Sequence, residues 1–139
     1  MNAVADTGAL YALYDSTDAQ HEKVRKSLSA LRGLIYVPTA VLGEIDYLLR
    51  EWLGVDAELA FLASLRSRAF LLEELTEADL ARCEELLNSY RDLDLGLVDA
   101  AVIATAERLS IDTVLTLDER DFRAVRSRIG PLRLLPADL

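Results

Sequence analysis

Cysteine, histidine and positive charge are all scarce in this chain, and each shortage removes a class of chemistry. The single cysteine, Cys83, cannot form an internal disulfide, and a cysteine-based zinc site is excluded with it. The single histidine, His21, leaves the serine and threonine hydroxyls without a base, so a serine-type triad is excluded. Standing at a helix start between Gln20 and Glu22, His21 reads as an exposed residue and not a catalytic one. Neither common form of glycine-rich phosphate loop is present. No apolar run reaches the ~20 residues of a membrane span. No basic segment leading into an apolar stretch opens the chain, so the expectation is a cytoplasmic protein. Bases number 15 against 24 acids, a net charge of −9 that argues against generic binding to a phosphate backbone.

What remains is a well-patterned single domain over residues 1–139, with an apolar fraction of 52% that is ample for a core. "VADTGALYALYD" (4–15) reads as a short buried strand that delivers Asp6 to its end, followed at once by a helix. "AQHEKVRKSLSAL" places Val24, Leu28 and Leu31 on one helical face, and "LIYVP" (34–38) is strand-like up to Pro38. "TAVLGEIDYLLREWLG" is an amphipathic helix with Thr39 as the expected N-cap and Gly54 as the stop. A short helix from Asp56 to about Arg68 and a strand in "AFLLEEL" follow. Thr76 and Asp79 form the signature of a capping box, opening a helix to about Tyr90 on which Cys83 is a small core residue. "LVDAAVIATAERL" is the next helix, and "DTVLTL" and "LRLLP" the last strands. Tyr47 and Trp52 read as packing residues, with a partner surface as the alternative.

Short apolar strands separated by helices predict an α/β three-layer sandwich around a parallel sheet. Ligands in such sheets bind beyond the carboxyl ends of the strands, and that rule sends Asp6 and Asp118 to one rim. Advancing about 100° per residue puts Asp99 inside the apolar arc of Val98, Val102, Ala106 and Leu109. An acid there is paired, protonated or metal-bound, because burying a lone charge is very costly; the structural alternative is a capping acid at the helix start. Glu44 lies at the edge of the stripe of Val41, Leu42, Ile45, Leu48 and Leu49. Asp118 in "TLDERDF" is either a site acid or the cap of the short helix carrying Asp121, and Thr116 either bonds a neighbouring carboxylate or ends its strand. Together Asp6, Glu44, Asp99 and Asp118 make a hard-oxygen set suited to Mg²⁺ or Mn²⁺. Five arginines between Arg120 and Arg133 offer a local basic edge for an anionic ligand, led by Arg120, Arg123 and Arg126 just after Asp118.

"VADTGAL", "VPTAVLGEIDYLL", "LGLVDAAVIATAERL" and "VLTLDERDF" give the chain an end-to-end resemblance to the PIN-domain nucleases, and within them to VapC-like toxins of bacterial toxin–antitoxin pairs. The resemblance implies a five-stranded parallel sheet, an Mg²⁺- or Mn²⁺-dependent endoribonuclease, an RNA substrate, a homodimer and a small VapB-like antitoxin partner. It places the acidic cluster on Asp6, Glu44, Asp99 and Asp118, with Asp121 as the alternative fourth acid. Asp6 and Asp99 would hold the principal ion, Glu44 and Asp118 would complete the cage or bind a second, and Thr7 would support Asp6. Two other readings compete. A non-catalytic interaction module would keep the fold without turnover. A phosphatase using Asp6 as nucleophile would want an acid two residues on, where Gly8 stands, and a lysine near the phosphate, where only Lys23 and Lys26 are available.

Overall fold

The computed structural model describes residues 1–139, and its strands are short, three or four residues each. In order they are β1 (Ala3–Ala5), β2 (Ile35–Pro38), β3 (Leu71–Glu73), β4 (Thr113–Leu115) and β5 (Arg133–Leu135). The helices are α1 (Thr7–Tyr14), α2 (His21–Leu31), α3 (Thr39–Trp52), α4 (Val55–Arg66), α5 (Glu77–Ser89), α6 (Leu97–Leu109) and α7 (Glu119–Ala124). The five strands form one parallel sheet in the order β3-β2-β1-β4-β5. Val4 is opposite Tyr36 on one side and Val114 on the other, so β1 lies at the centre. No residue of β1 or β4 is exposed, as a sheet covered on both faces requires.

From β1 the chain first steps outward to β2 and β3, then returns across the sheet to β4 and β5. Right-handed crossovers therefore place α1–α4 on one face and α5–α7 on the other. α1 and α3 start directly after β1 and β2, and α6 runs back to the start of β4, so the N-termini of α1, α3 and α6 share a rim with the ends of β1, β2 and β4. The reversal of direction lies between β1 and β4, the switch point at which such sheets bind ligands.

Local signals account for several boundaries. Thr76 Oγ1 accepts the Asp79 N–H at 3.0 Å and Asp79 Oδ2 accepts the Thr76 N–H at 3.0 Å, completing the expected capping box. Gly54 ends α3 with φ +96°, a left-handed conformation that glycine adopts without a Cβ penalty. Thr39 is not the cap: β2 continues through Pro38, which occupies that position in an extended conformation, and Thr39 is already helical with no capping bond. α6 also departs from the single apolar arc, because Ala100–Ala106 are all buried. Those residues are mostly small, which lets α6 lie close against β1, β2 and β4 while α5 covers its other side. Phe61 of α4 is fully buried and meets Tyr14 of α1 edge to face at 5.8 Å, so α4 is fastened to the helix that begins at Asp6. No helix is long and apolar enough to cross a membrane.

Candidate active site

β1 ends at Ala5, and the next carboxylate caps α1. Asp6 Oδ1 accepts the Thr7 N–H at 2.8 Å, and its own N–H donates to the Leu115 carbonyl at 2.8 Å, tying the end of β1 to the end of β4. Thr116, the first residue past β4, donates its hydroxyl to Asp6 Oδ2 at 2.9 Å and accepts the Asp118 N–H at 3.0 Å. Thr116 thus bonds a carboxylate and also shapes the turn after its strand. Asp99 sits in the first turn of α6, half-buried, with Oδ2 accepting the Gly96 N–H at 3.1 Å. It is therefore a capping acid, as the structural alternative held, and it also faces a groove.

That groove has a volume of about 510 Å³ and is lined by Asp6, Thr7, Gly8, Glu44, Leu48, Asp99, Leu117 and Asp118. Four acids from four separate stretches of chain thus meet on one rim. Asp121 does not join them in the groove: it is buried behind Asp118 in an adjoining cavity that also holds Asp92, Asp94 and Arg120. Glu44 and Asp118 are exposed, while Asp6 keeps only 8% of its surface.

The electrostatics follow from that crowding. Burial pushes the Asp6 carboxyl up from 3.8 to about 6; the bonds from Thr7 and Thr116 oppose the rise, and the charges of Asp99 and Glu44 add to it. Burial also raises Asp99, against the Gly96 hydrogen bond and with repulsion from Asp118, Asp121 and Glu44. Asp121 is raised by burial and by the charges of Asp118 and Asp94, partly offset by Arg120. No base forms an ion pair with any of these acids. Thr7 lines the groove with a buried Oγ1 that has no hydrogen-bond partner.

No three of the acids stand together as a closed metal-ligand set. The donors are nevertheless all hard oxygens, and Mg²⁺ keeps several waters and takes only one or two carboxylates directly. Mutual repulsion among unpaired acids is what a divalent cation offsets. The residues fit such an ion.

The basic edge is only partly where the sequence puts it. Arg123 is not free: its guanidinium bonds Asp138 at 2.7 Å and Glu119 at 3.2 Å. Arg126 makes no ion pair but lines a cavity with Ser127, Gly130 and Pro131, separate from the acids. Arg120 alone borders the groove, through the cavity it shares with Asp118. His21 is half-buried, with Nδ1 2.7 Å from the Ala12 carbonyl, so it fastens α2 to α1. Tyr47 and Trp52 are not packing residues; they are 63% and 69% exposed. Sequence reasoning missed Gln20 and Lys23, which line a second cavity beside the groove; nothing in a solvated helix start marks residues that meet the rim only through folding.

The model of the PIN domain family matches residues 3–127. The chain belongs to the PIN-domain family. This PIN domain is 35% identical over 123 residues to the ribonuclease VapC26 of Mycobacterium tuberculosis, over 88% of this chain and 91% of that one. Its fold is similar to that of Mycobacterium tuberculosis VapC20, described as a sarcin–ricin loop cleaving toxin. The TM-score is 0.81 at 23% identity, over 93% of this chain and 99% of that one. A toxin–antitoxin complex from Klebsiella pneumoniae contains a similar fold, with a TM-score of 0.71 at 20% identity over 88% of this chain and 92% of that one.

Proposed function

We propose that this PIN domain is a metal-dependent endoribonuclease and the toxin of a toxin–antitoxin pair. The observation that carries the reading is the set of unpaired acids in one groove at the switch point of the sheet, in a chain 35% identical to a named ribonuclease. Asp6 and Asp99 are the residues to hold the principal Mg²⁺ or Mn²⁺, with Glu44 and Asp118 completing the shell or holding a second ion. When bound there, such an ion would supply the positive charge that lowers the pKa of a water and offsets charge on the oxygens of an in-line displacement at phosphorus. Thr116 and the Thr7 N–H fix Asp6 in the groove wall by one bond to each carboxylate oxygen. The Gly96 N–H fixes Asp99 by a single bond. A phosphatase is disfavoured because Gly8 stands where its second acid is wanted and Lys23 lies in a different cavity.

Partner proteins have a surface available. Tyr47, Trp52, Val55, Leu59 and Leu62 are exposed along α3 and α4, and aromatic residues are enriched at interfaces. This supports a small antitoxin, a second copy of the chain, or both. Light scattering tests the homodimer, and co-purification from the native host tests the antitoxin.

The deciding experiment is RNA cleavage by highly purified Asp99→Asn in Mg²⁺ and Mn²⁺, with circular dichroism to show that the fold persists. Cleavage is expected to vanish. Cleavage at the wild-type rate removes Asp99 from the site and the assignment with it.

A further inference from the structure

Beside the acidic groove lies a second cavity of about 430 Å³, lined by Gln20 and Lys23 of the α2 start, by Thr116, Leu117 and Glu119, and by Pro136 and Ala137. The two cavities share Leu117, which is 36% exposed and forms the ridge between them. The same Thr116 that walls the second cavity donates its hydroxyl to Asp6. We propose that this second cavity seats the nucleotide adjoining the scissile phosphodiester, with Lys23 holding its phosphate. The inference rests on the ribonuclease reading and adds the place and the residues that hold the substrate.

Three observations carry it. First, the volume falls in the range of about 300–1,000 Å³ usual for small-ligand sites, and only one ridge residue separates it from the acids. Second, a polyanion approaching four acids needs a local cation. Six of the fifteen bases are engaged in ion pairs, and Lys23 is not among them. The one acid in the cavity, Glu119, is held by Arg123 at 3.2 Å, a guanidinium it shares with Asp138, so its charge is partly offset. Third, the walls suit a nucleotide and not a bare ion. Leu117, Pro136 and Ala137 present apolar surface to a base or ribose, and the Gln20 side-chain amide has no partner within the protein. Arg120, also without an ion pair, lines the cavity that shares Asp118 with the groove. Leu117 and Asp118 are consecutive, so a strand leaving the groove past them has Lys23 in one adjoining cavity and Arg120 in the other. Such contacts hold the backbone without reading sequence.

The test is binding of labelled, mixed-sequence single-stranded RNA oligomers at several salt concentrations in Ca²⁺, alongside steady-state cleavage in Mg²⁺. Lys23→Ala is expected to weaken binding about five-fold and to flatten the salt slope by about 0.7. It is also expected to raise KM while leaving kcat nearly unchanged, the mark of a contact made equally in ground and transition states. Lys23→Arg restores both values, Lys23→Glu worsens both, and Lys26→Ala on the same helix changes neither. If the wild-type protein binds and cleaves RNA but Lys23→Ala and Lys23→Glu keep its slope and KM, the second cavity is not a substrate seat and the inference alone is overturned. If the wild-type protein neither binds nor cleaves RNA, the ribonuclease reading falls and takes the inference with it.

Discussion

Replacing Asp6 by asparagine stabilises the metal-free protein at neutral pH. The folded-state carboxyl titrates at about 6 against an ordinary 3.8; at about 1.36 kcal/mol per pH unit, the ionised group burdens the folded state by about 3 kcal/mol. The sign follows from linkage: a carboxyl raised on folding binds its proton more tightly in the folded chain. Its contribution is therefore most favourable below about pH 4 and is lost as the pH rises through about 6. Asparagine imitates the protonated form and still accepts the Thr7 N–H. Its amide must donate to Thr116 Oγ1, which now donates to Asp6, and that rearrangement costs about 1 kcal/mol. The net gain at pH 7.5 is about 2 kcal/mol, or about 4–8 °C in Tm for a chain of this size. Thermal melts of wild type and Asp6→Asn in chelator, from pH 4 to 8, isolate the effect, because every other acid is common to both proteins. The gap is expected to close near pH 4. A variant that melts below wild type at pH 7.5, or a gap that does not vary with pH, refutes the reasoning.

Divalent metal is expected to reverse that order: calorimetry at 100 times the dissociation constant of Mg²⁺ or Mn²⁺ should show the wild type gaining about 2.7 kcal/mol. Asp6→Asn/Asp99→Asn should gain nothing. Asp79→Ala removes one of the two acids on Arg108, which now bonds Asp79 at 3.0 and 3.1 Å and keeps Glu73 at 2.9 Å, and with the lost capping bond it should cost about 1–2 kcal/mol in chemical denaturation. The Asp79 carboxyl is held below its usual value by Arg108 and the Thr76 backbone, against its burial; its stabilisation is present above about pH 4 and lost as the pH falls further. Arg120→Ala should flatten the salt dependence of RNA binding by about 0.7. Arg123→Ala should leave that slope unchanged, because its charge is spent on Asp138 and Glu119.

Features set by nearest neighbours are legible in the sequence. The Thr76–Asp79 box, the stop at Gly54 and the delivery of Asp6 to a strand end each depend on a few adjacent residues. The alternation of strands and helices then assigns the sheet and its rim, which is why acids 93 positions apart, Asp6 and Asp99, can be expected on one groove. Features that depend on which surfaces meet are not legible. Periodicity cannot show that α6 is enclosed on all sides, since alanines carry little amphipathic signal. It cannot show that Arg123 finds Asp138 beyond the last strand, or that nothing covers Tyr47 and Trp52. Lys23 meets the rim through a cavity whose walls, Gln20 apart, are more than 90 residues away in sequence.

The buried acids divide into two populations, and the division supports the proposed site without reference to any relative. Asp79 is 3% exposed and is matched by Arg108. Glu107, with a side chain 7% exposed, is held by Arg82 at 2.8 Å and accepts the Arg128 N–H. These acids are arranged as stability requires, with each charge answered by a base or a backbone donor. Asp6 and Asp121 are comparably buried, at 8% and 7%, and neither forms an ion pair, Asp121 having only the nearby charge of Arg120. Packing does not force this, because Arg120 and Lys23 stand in the adjoining cavities without closing an ion pair on any acid. A chain selected for stability alone would pair or neutralise those carboxyls. Keeping Asp6 crowded, buried and without an ion pair at the switch point of the sheet carries a cost that a cationic ligand at the rim would offset.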